Sequence, residues 1–202
     1  MADLYEMEEA LRQKGFLSVC GIDEAGRGPL AGPVCAGAVI LPRGLIIDGL
    51  NDSKKLSEKK REALYDIITK ESLCWSVGFA SHKEIDEVNI LQATYLAMRR
   101  AVGGLTQMPD YALVDGNRDP GLSFPLELVV KGDGKVACIA AASIIAKVTR
   151  DRLMAELDEK YPGYGLLKHK GYPTGEHYAA IEKLGVSPIH RLSFLKNRVG
   201  AV

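Results

Sequence analysis

Val19-Cys20-Gly21-Ile22-Asp23-Glu24-Ala25-Gly26-Arg27-Gly28-Pro29-Leu30-Ala31-Gly32-Pro33 runs an apolar segment into two adjacent carboxylates and then into a glycine-rich loop. Leu17–Ala25 and the next apolar run, Val34–Leu41, have strand composition, and the Gly/Pro loop joins them. The pattern predicts a hairpin-like strand pair. Carboxylate oxygens suit Mg²⁺ or Mn²⁺. Glycines let main-chain N–H groups approach an anion closely, because no Cβ intervenes. Asp23 and Glu24 beside Gly26, Arg27, Gly28 and Gly32 therefore suit a point where hard cations meet a phosphate backbone. The same residues also describe a strand that ends in a tight turn with two solvated acids.

Outward from this stretch, Leu4–Lys14 has helical spacing and stops at Gly15. Asp48–Leu56 reads as a loop, and Ser57 as the N-cap of a charged helix reaching about Glu71. Ser72–Ala80 reads as a third strand. His82–Val88 reads as a short helical turn, and Asn89 as the cap of a longer helix, Ile90–Val102. Tyr111–Val114 and Leu126–Val130 read as two further strands. Val136–Lys160 reads as a long helix whose first half is small or apolar all round, so it must lie buried between layers. Tyr161–Gly175 reads as a loop, followed by a helix at about Glu176–Leu184 and a short element beyond Ser187-Pro188. Three consecutive strands and two alternating with helices predict an α/β fold. Its core is a mixed five-stranded sheet flanked by helices, with a helical C-terminal subregion at about 161–202 within one domain.

The 202 residues are 47% hydrophobic and 26% charged, with zero formal net charge. No run of 18 apolar residues suggests a membrane span. The acidic N-terminal segment lacks the apolar core of a secretory signal. Cys20, Cys35, Cys74 and Cys138 are scattered and read as reduced core thiols of a cytoplasmic protein. Residues 1–24 hold six acids against Arg12 and Lys14, whereas no acid follows Gly185 and Arg191, Lys196 and Arg198 do. A basic face beside an acidic pocket is compatible with nucleic acid, and so is plain solvated charge.

Two more acids stand at element ends: Asp115 after Tyr-Ala-Leu-Val, and Asp133 in Val-Lys-Gly-Asp-Gly before the buried helix. Each alone is more often a turn former or cap. Four carboxylates from three segments suit two divalent ions about 4 Å apart in phosphodiester hydrolysis. Adjacent residues of a regular strand face opposite ways. Either the strand twists or bulges at Asp23-Glu24, or Glu24 acts through its main-chain carbonyl or a water.

Gly21–Val34 closely resembles the opening motif of ribonuclease HII. The likeness continues through Asp52-Ser53-Lys54-Lys55-Leu56-Ser57, Val114-Asp115-Gly116, Lys131-Gly132-Asp133, the stretch from Ala140 to Asp151, and His169-Lys170-Gly171-Tyr172-Pro173. These blocks follow the family's order from about Gly15 to Arg198. The resemblance implies an RNase H-like fold and Mg²⁺ or Mn²⁺ as cofactor, two ions acting in catalysis. It implies cleavage of RNA in RNA–DNA hybrids and at single ribonucleotides in duplex DNA, leaving 3′-hydroxyl and 5′-phosphate ends. It puts the catalytic and metal-binding acids on Asp23, Glu24, Asp115 and Asp133. Gly26, Arg27 and Gly28 would read the ribose 2′-hydroxyl, and Tyr172, or Tyr164 in the same loop, would sense the junction.

Lys54, Lys55, Lys147, Arg150 and Lys170 are read as meeting phosphates or balancing the acids. Ser143 either packs beneath the site or hydrogen-bonds substrate. Asp151 reads as a structural ion-pair partner, and Arg191 with the basic tail as an extension of the duplex footprint. The sister family, ribonuclease HIII, carries an extra N-terminal domain and a lysine in the glycine loop. Arg27 and the short lead before the first strand count against it. A non-catalytic phosphate-binding module is disfavoured, because four acids around a phosphate repel it unless metals bind. A monomer is the default expectation.

Overall fold

Parallel and antiparallel pairing meet on one central strand. A computed structural model describes residues 4–196, so Arg198 lies outside the described residues. Strand β1 (Val19–Ala25) pairs antiparallel with β2 (Val34–Ile40), which pairs antiparallel with β3 (Cys74–Ala80). On its other side β1 pairs parallel with β4 (Tyr111–Asp115), and β4 parallel with β5 (Leu126–Val129). The five-stranded order is β3-β2-β1-β4-β5. The mixed sheet and hairpin-like first pair are as the sequence suggests.

Helices cover both faces. Helix α1 (Glu6–Gln13) leads into the sheet, and α2 (Glu58–Glu71) starts where Ser57 accepts from the Lys60 amide. On one face α3 (His82–Gly103) packs on β1, β2 and β3. On the other face lies α4 (Ala137–Lys160), with α2 behind it. The alanines of α4 have a steric reason: a Cβ on Gly21 would land on the Cys138 backbone, and one on Gly37 on the Ala142 carbonyl. The helix thus lies nearly in backbone contact with the sheet, which only small residues allow.

Asn89 interrupts α3 with φ 68° and ψ 165°, and its Oδ1 accepts from the Leu91 and Gln92 amides. The two helical pieces predicted around that cap are present. The Ser81 side chain and Glu84 form a capping box at the start. Two readings shift. Strand β1 starts at Val19, because the Leu17 and Ser18 amides bind the Asp110 carboxylate instead of a neighbouring strand. The predicted loop 161–175 contains a short helix, α5 (Leu166–His169), bounded by Gly165 and Lys170 in left-handed conformations.

Helices α6 (Gly175–Leu184) and α7 (Leu192–Leu195) complete the C-terminal region. Leu30, Ala31, Met154, Tyr164, Leu166, Ile181, Ile189 and Leu195 form a third apolar cluster, separate from those on the two sheet faces. The glycine loop after β1 is built into it: Leu30 donates to Gly171 O, Gly32 to Ile189 O, and Arg191 N to Leu30 O. All four cysteines are free and buried. Among the described residues no helix is long and apolar enough to cross a membrane.

Candidate active site

The parallel register sets Ile22 beside Val114, so the next residues, Asp23 and Asp115, follow the last parallel pair, at the end of β4 and two residues before the end of β1. The carboxyl ends of parallel strands are where open α/β sheets place their sites. Alternation holds along β1. Val19 belongs to the cluster under α4, whereas Cys20 and Ile22 belong to the one under α3. Asp23 accordingly faces α4, where Ser143 acts to ease its charge, and its Oδ1 accepts from the Glu24 amide at 2.7 Å. Glu24 lines a cavity of about 340 Å³ with Thr94, Tyr95 and Met98 of α3. Pairing with β2 stays regular through Ala25, so no bulge turns the two acids together. They flank the sheet edge from opposite faces.

Asp115 lines that cavity and also a second, of about 500 Å³, with Asp52, Lys54 and Asp133. Asp133 comes from a 3₁₀ turn, Gly132–Gly134, just before α4. The turn is tied to β4 because Gly132 N donates to Asp115 Oδ1 at 2.6 Å. Asp115 is therefore the carboxylate common to both cavities.

Burial and mutual charge bear on Asp23, Glu24 and Asp133. Burial, then the charges of Glu24 and Asp115, raise the Asp23 carboxyl well above its ordinary range; Asp23 is 3% exposed. Burial, then Asp115 and Asp52, raise Asp133. Burial also raises Glu24, although Arg27, 3.3 Å away, works in the opposite direction. Burial opposes the charge on Lys54, but Asp23, Asp133, Asp52 and Asp115 together outweigh it and raise its pKa. Its Nζ lies 3.7 Å from Asp133 Oδ2. Lys54 is thus the cation set among these acids. Asp52, which accepts from the Lys54 amide, joins the cluster although the sequence reading gave it no role. Among the described residues, no three His, Cys, Asp or Glu side chains gather tightly enough to enclose an ion by themselves.

The remaining candidates divide. Ser143 bonds Ser53 at 2.7 Å and eases the charge of Asp23, so it lies beneath the acids. Lys55 pairs with Asp52 at 3.8 Å and lines the second cavity. Gly28 faces Tyr172, whose ring lies 3.5 Å from where a Cβ would stand. Tyr172 is 41% exposed, whereas Tyr164 is buried, donates to Gly185 O and packs on His190. The open ring beside the glycine loop is therefore that of Tyr172. Lys147 is not brought to the acids; its Nζ bonds Asp151 at 2.7 Å, the ion pair read for Asp151. Arg150 and Arg191 depart most from expectation: both are buried and donate to backbone carbonyls, so neither offers a free cation to a duplex.

Residues 20–197 match the family model described as Ribonuclease HII. The chain belongs to the ribonuclease HII family. The ribonuclease HII of Dechloromonas aromatica (strain RCB) is 62% identical over 176 residues, 87% of this chain and 90% of that protein. The ribonuclease HII of Clostridioides difficile (strain 630) is 56% identical over 184 residues, 91% of this chain and 72% of that protein. The crystal structure of ribonuclease H2 from Pyrococcus horikoshii OT3 is 31% identical with a TM-score of 0.72, covering 87% of this chain and 93% of that one. As a ribonuclease HII this chain is an enzyme, a nuclease and hydrolase with the RNase H-like fold expected from its sequence.

Proposed function

We propose that this enzyme cleaves the RNA strand of RNA–DNA hybrids and nicks duplex DNA 5′ to single embedded ribonucleotides, leaving 3′-hydroxyl and 5′-phosphate ends. The observation that carries the reading is the placing of Asp23 and Asp115 just past the last parallel pair, Ile22 with Val114, where Asp115 shares one cavity with Glu24 and another with Asp133. Carboxylates crowded until their pKa values rise favour a divalent cation among them. The donors are all hard oxygens, which fits Mg²⁺ or Mn²⁺. A site with few carboxylates per ion leaves room for water and substrate phosphate oxygens, as Mg²⁺ sites do. Asp23, Glu24, Asp115 and Asp133 would hold two ions. When bound, such ions supply Lewis-acid activation of water and neutralise charge on the phosphodiester.

The chain's own groups do the rest. Ser143 orients the Asp23 carboxylate, and Arg27 restrains Glu24. Main-chain groups of Gly26, Arg27 and Gly28 meet the 2′-hydroxyl, the one group that separates RNA from DNA at a nucleotide. The Tyr172 ring stacks on the neighbouring deoxyribose and rejects a ribose there by bulk. Lys54 and Lys55 contact phosphates, as does Lys147 once released from Asp151. Residues from about 161 onward form a substrate-binding subregion of one catalytic domain. Buried free thiols suit a monomer working in the reducing cytoplasm.

The test gives the enzyme and Mg²⁺ or Mn²⁺ a DNA duplex with one ribonucleotide and, separately, an all-RNA/DNA hybrid. We expect a single nick 5′ to the ribonucleotide, blocked by chelator and by Asp133→Asn. Hybrid cleavage with no action at the single ribonucleotide would overturn the reading.

A further inference from the structure

Arg150 and Arg191 are 1% and 0% exposed, and neither forms an ion pair among the described residues. A buried guanidinium without a carboxylate is costly unless its N–H groups are otherwise satisfied. Here backbone carbonyls satisfy them. Arg191 donates from Nη2 to Gly26 O (2.7 Å), from Nη1 to Arg27 O (2.9 Å) and from Nε to Gly32 O (2.9 Å). Arg150 donates to Ala31 O and Pro33 O of the same loop, and to Lys170 O beside Tyr172. A Cβ on Gly26, at φ 92°, would land on the Arg150 side chain. That glycine is required by the arginine behind it as much as by any ligand in front.

The direction of these bonds has a functional result. A trans peptide holds its C=O and N–H on opposite sides, and the described residues contain no cis peptide. The carbonyls of Gly26 and Arg27 both point inward at Arg191. The N–H groups of Arg27 and Gly28, which share those two peptide planes, therefore point outward. Neither N–H has an acceptor among the described residues. Tyr172 lies against Gly28, and Glu24 pairs with the Arg27 side chain.

We propose that Arg191 is a positioning residue that aims the consecutive N–H groups of Arg27 and Gly28 at the ribonucleotide, and so sets the enzyme's selectivity for it. The inference rests on the glycine loop's reading of the 2′-hydroxyl. An outward N–H suits any hydroxyl or phosphate oxygen, so the test separates the two sources.

The full-length enzyme is assayed with Mg²⁺ on a DNA duplex carrying one ribonucleotide, with the same-sequence all-DNA duplex as competitor. The ratio of the competitor's Ki to the substrate's KM reads the contribution of one 2′-hydroxyl. In Arg191→Lys we expect KM to rise about tenfold, the loss of about one hydrogen bond's net worth, with Ki unchanged. Equal rises in KM and Ki would overturn the proposal and leave the amides serving phosphate or Arg191 merely supporting the fold. A wild-type ratio near one would overturn the underlying reading instead. Should Arg191→Lys fail to fold, amide exchange in the wild-type protein decides. Arg27 and Gly28 must be slowed by the ribonucleotide duplex and not by the all-DNA duplex, and no slowing overturns the proposal.

Discussion

Asp23 keeps a carboxyl where its charge is least favourable, under burial and beside two other acids. An acid whose pKa is higher in the folded chain takes up a proton on folding, so it subtracts stability as pH rises past the ordinary carboxylate range. Asp23→Asn should therefore raise the metal-free Tm at neutral pH by about 2–4 °C for each kcal/mol relieved, while cleavage falls about a thousandfold. Calorimetry in chelator beside a cleavage assay checks both, and a lower Tm would contradict the electrostatics. Tyr172→Ala should cost about ten- to a hundredfold at a single ribonucleotide, the scale of one stacking contact, and much less on a continuous hybrid. Tyr164→Phe should cost about 1 kcal/mol of stability through its bond to Gly185 O and leave the substrate preference alone. The positions of Asp115 at a strand end and Asp133 in a turn before a helix were legible from sequence, because strand ends and short turns announce themselves. The roles of Arg150 and Arg191 were not, because all but one of the carbonyls they bond, Lys170 O being the exception, lie more than 100 residues away.

The spacing between elements is set by what is missing from them. Strands β1 and β2 meet α4 at Gly21 and Gly37, and the alanines of α4 answer from the other side. Gly37→Ala would press a methyl onto the Ala142 carbonyl, next in sequence to Ser143. We expect about 1–3 kcal/mol of destabilisation, read as a lower denaturation midpoint, with weaker cleavage as Ser143 shifts against Asp23. An unchanged midpoint would mean the helix yields freely. Most elements were readable because their periods and caps are strong: Ser57 and Asn89 each mark a helix start. Helix α5 was not, since four residues between two left-handed positions are too few to show a period. Likewise the start of β1 depended on Asp110, a partner far along the chain.

Across the whole molecule, a histidine core joins the C-terminal elements. His169 and His177 stack at 4.4 Å, and His177 Nε2 lies 3.1 Å from His190 Nε2. Burial, then His177, holds His190 down to about 4, and burial lowers His177. Neutral rings in the fold and protonated rings in the unfolded chain mean the unfolded state binds more protons below about pH 6.5, so this stability is complete above that pH and drains as pH falls toward 4. Tm should drop across that window, and His190→Gln should flatten the drop; equal slopes in both proteins would remove the cluster from that role. The mixed sheet was foreseeable at this scale, but the stitching of the glycine loop into the C-terminal region was not, because pattern and period say nothing about which distant carbonyls a side chain collects. That stitching also bears on synthesis. A nascent chain leaving the ribosome carries every acid of the cluster well before it carries Arg191. A chain halted before Arg191 would hold Asp23, Glu24, Asp115 and Asp133 yet lack the side chain that gathers the Gly26, Arg27 and Gly32 carbonyls, so its glycine loop would be left without that inward tether.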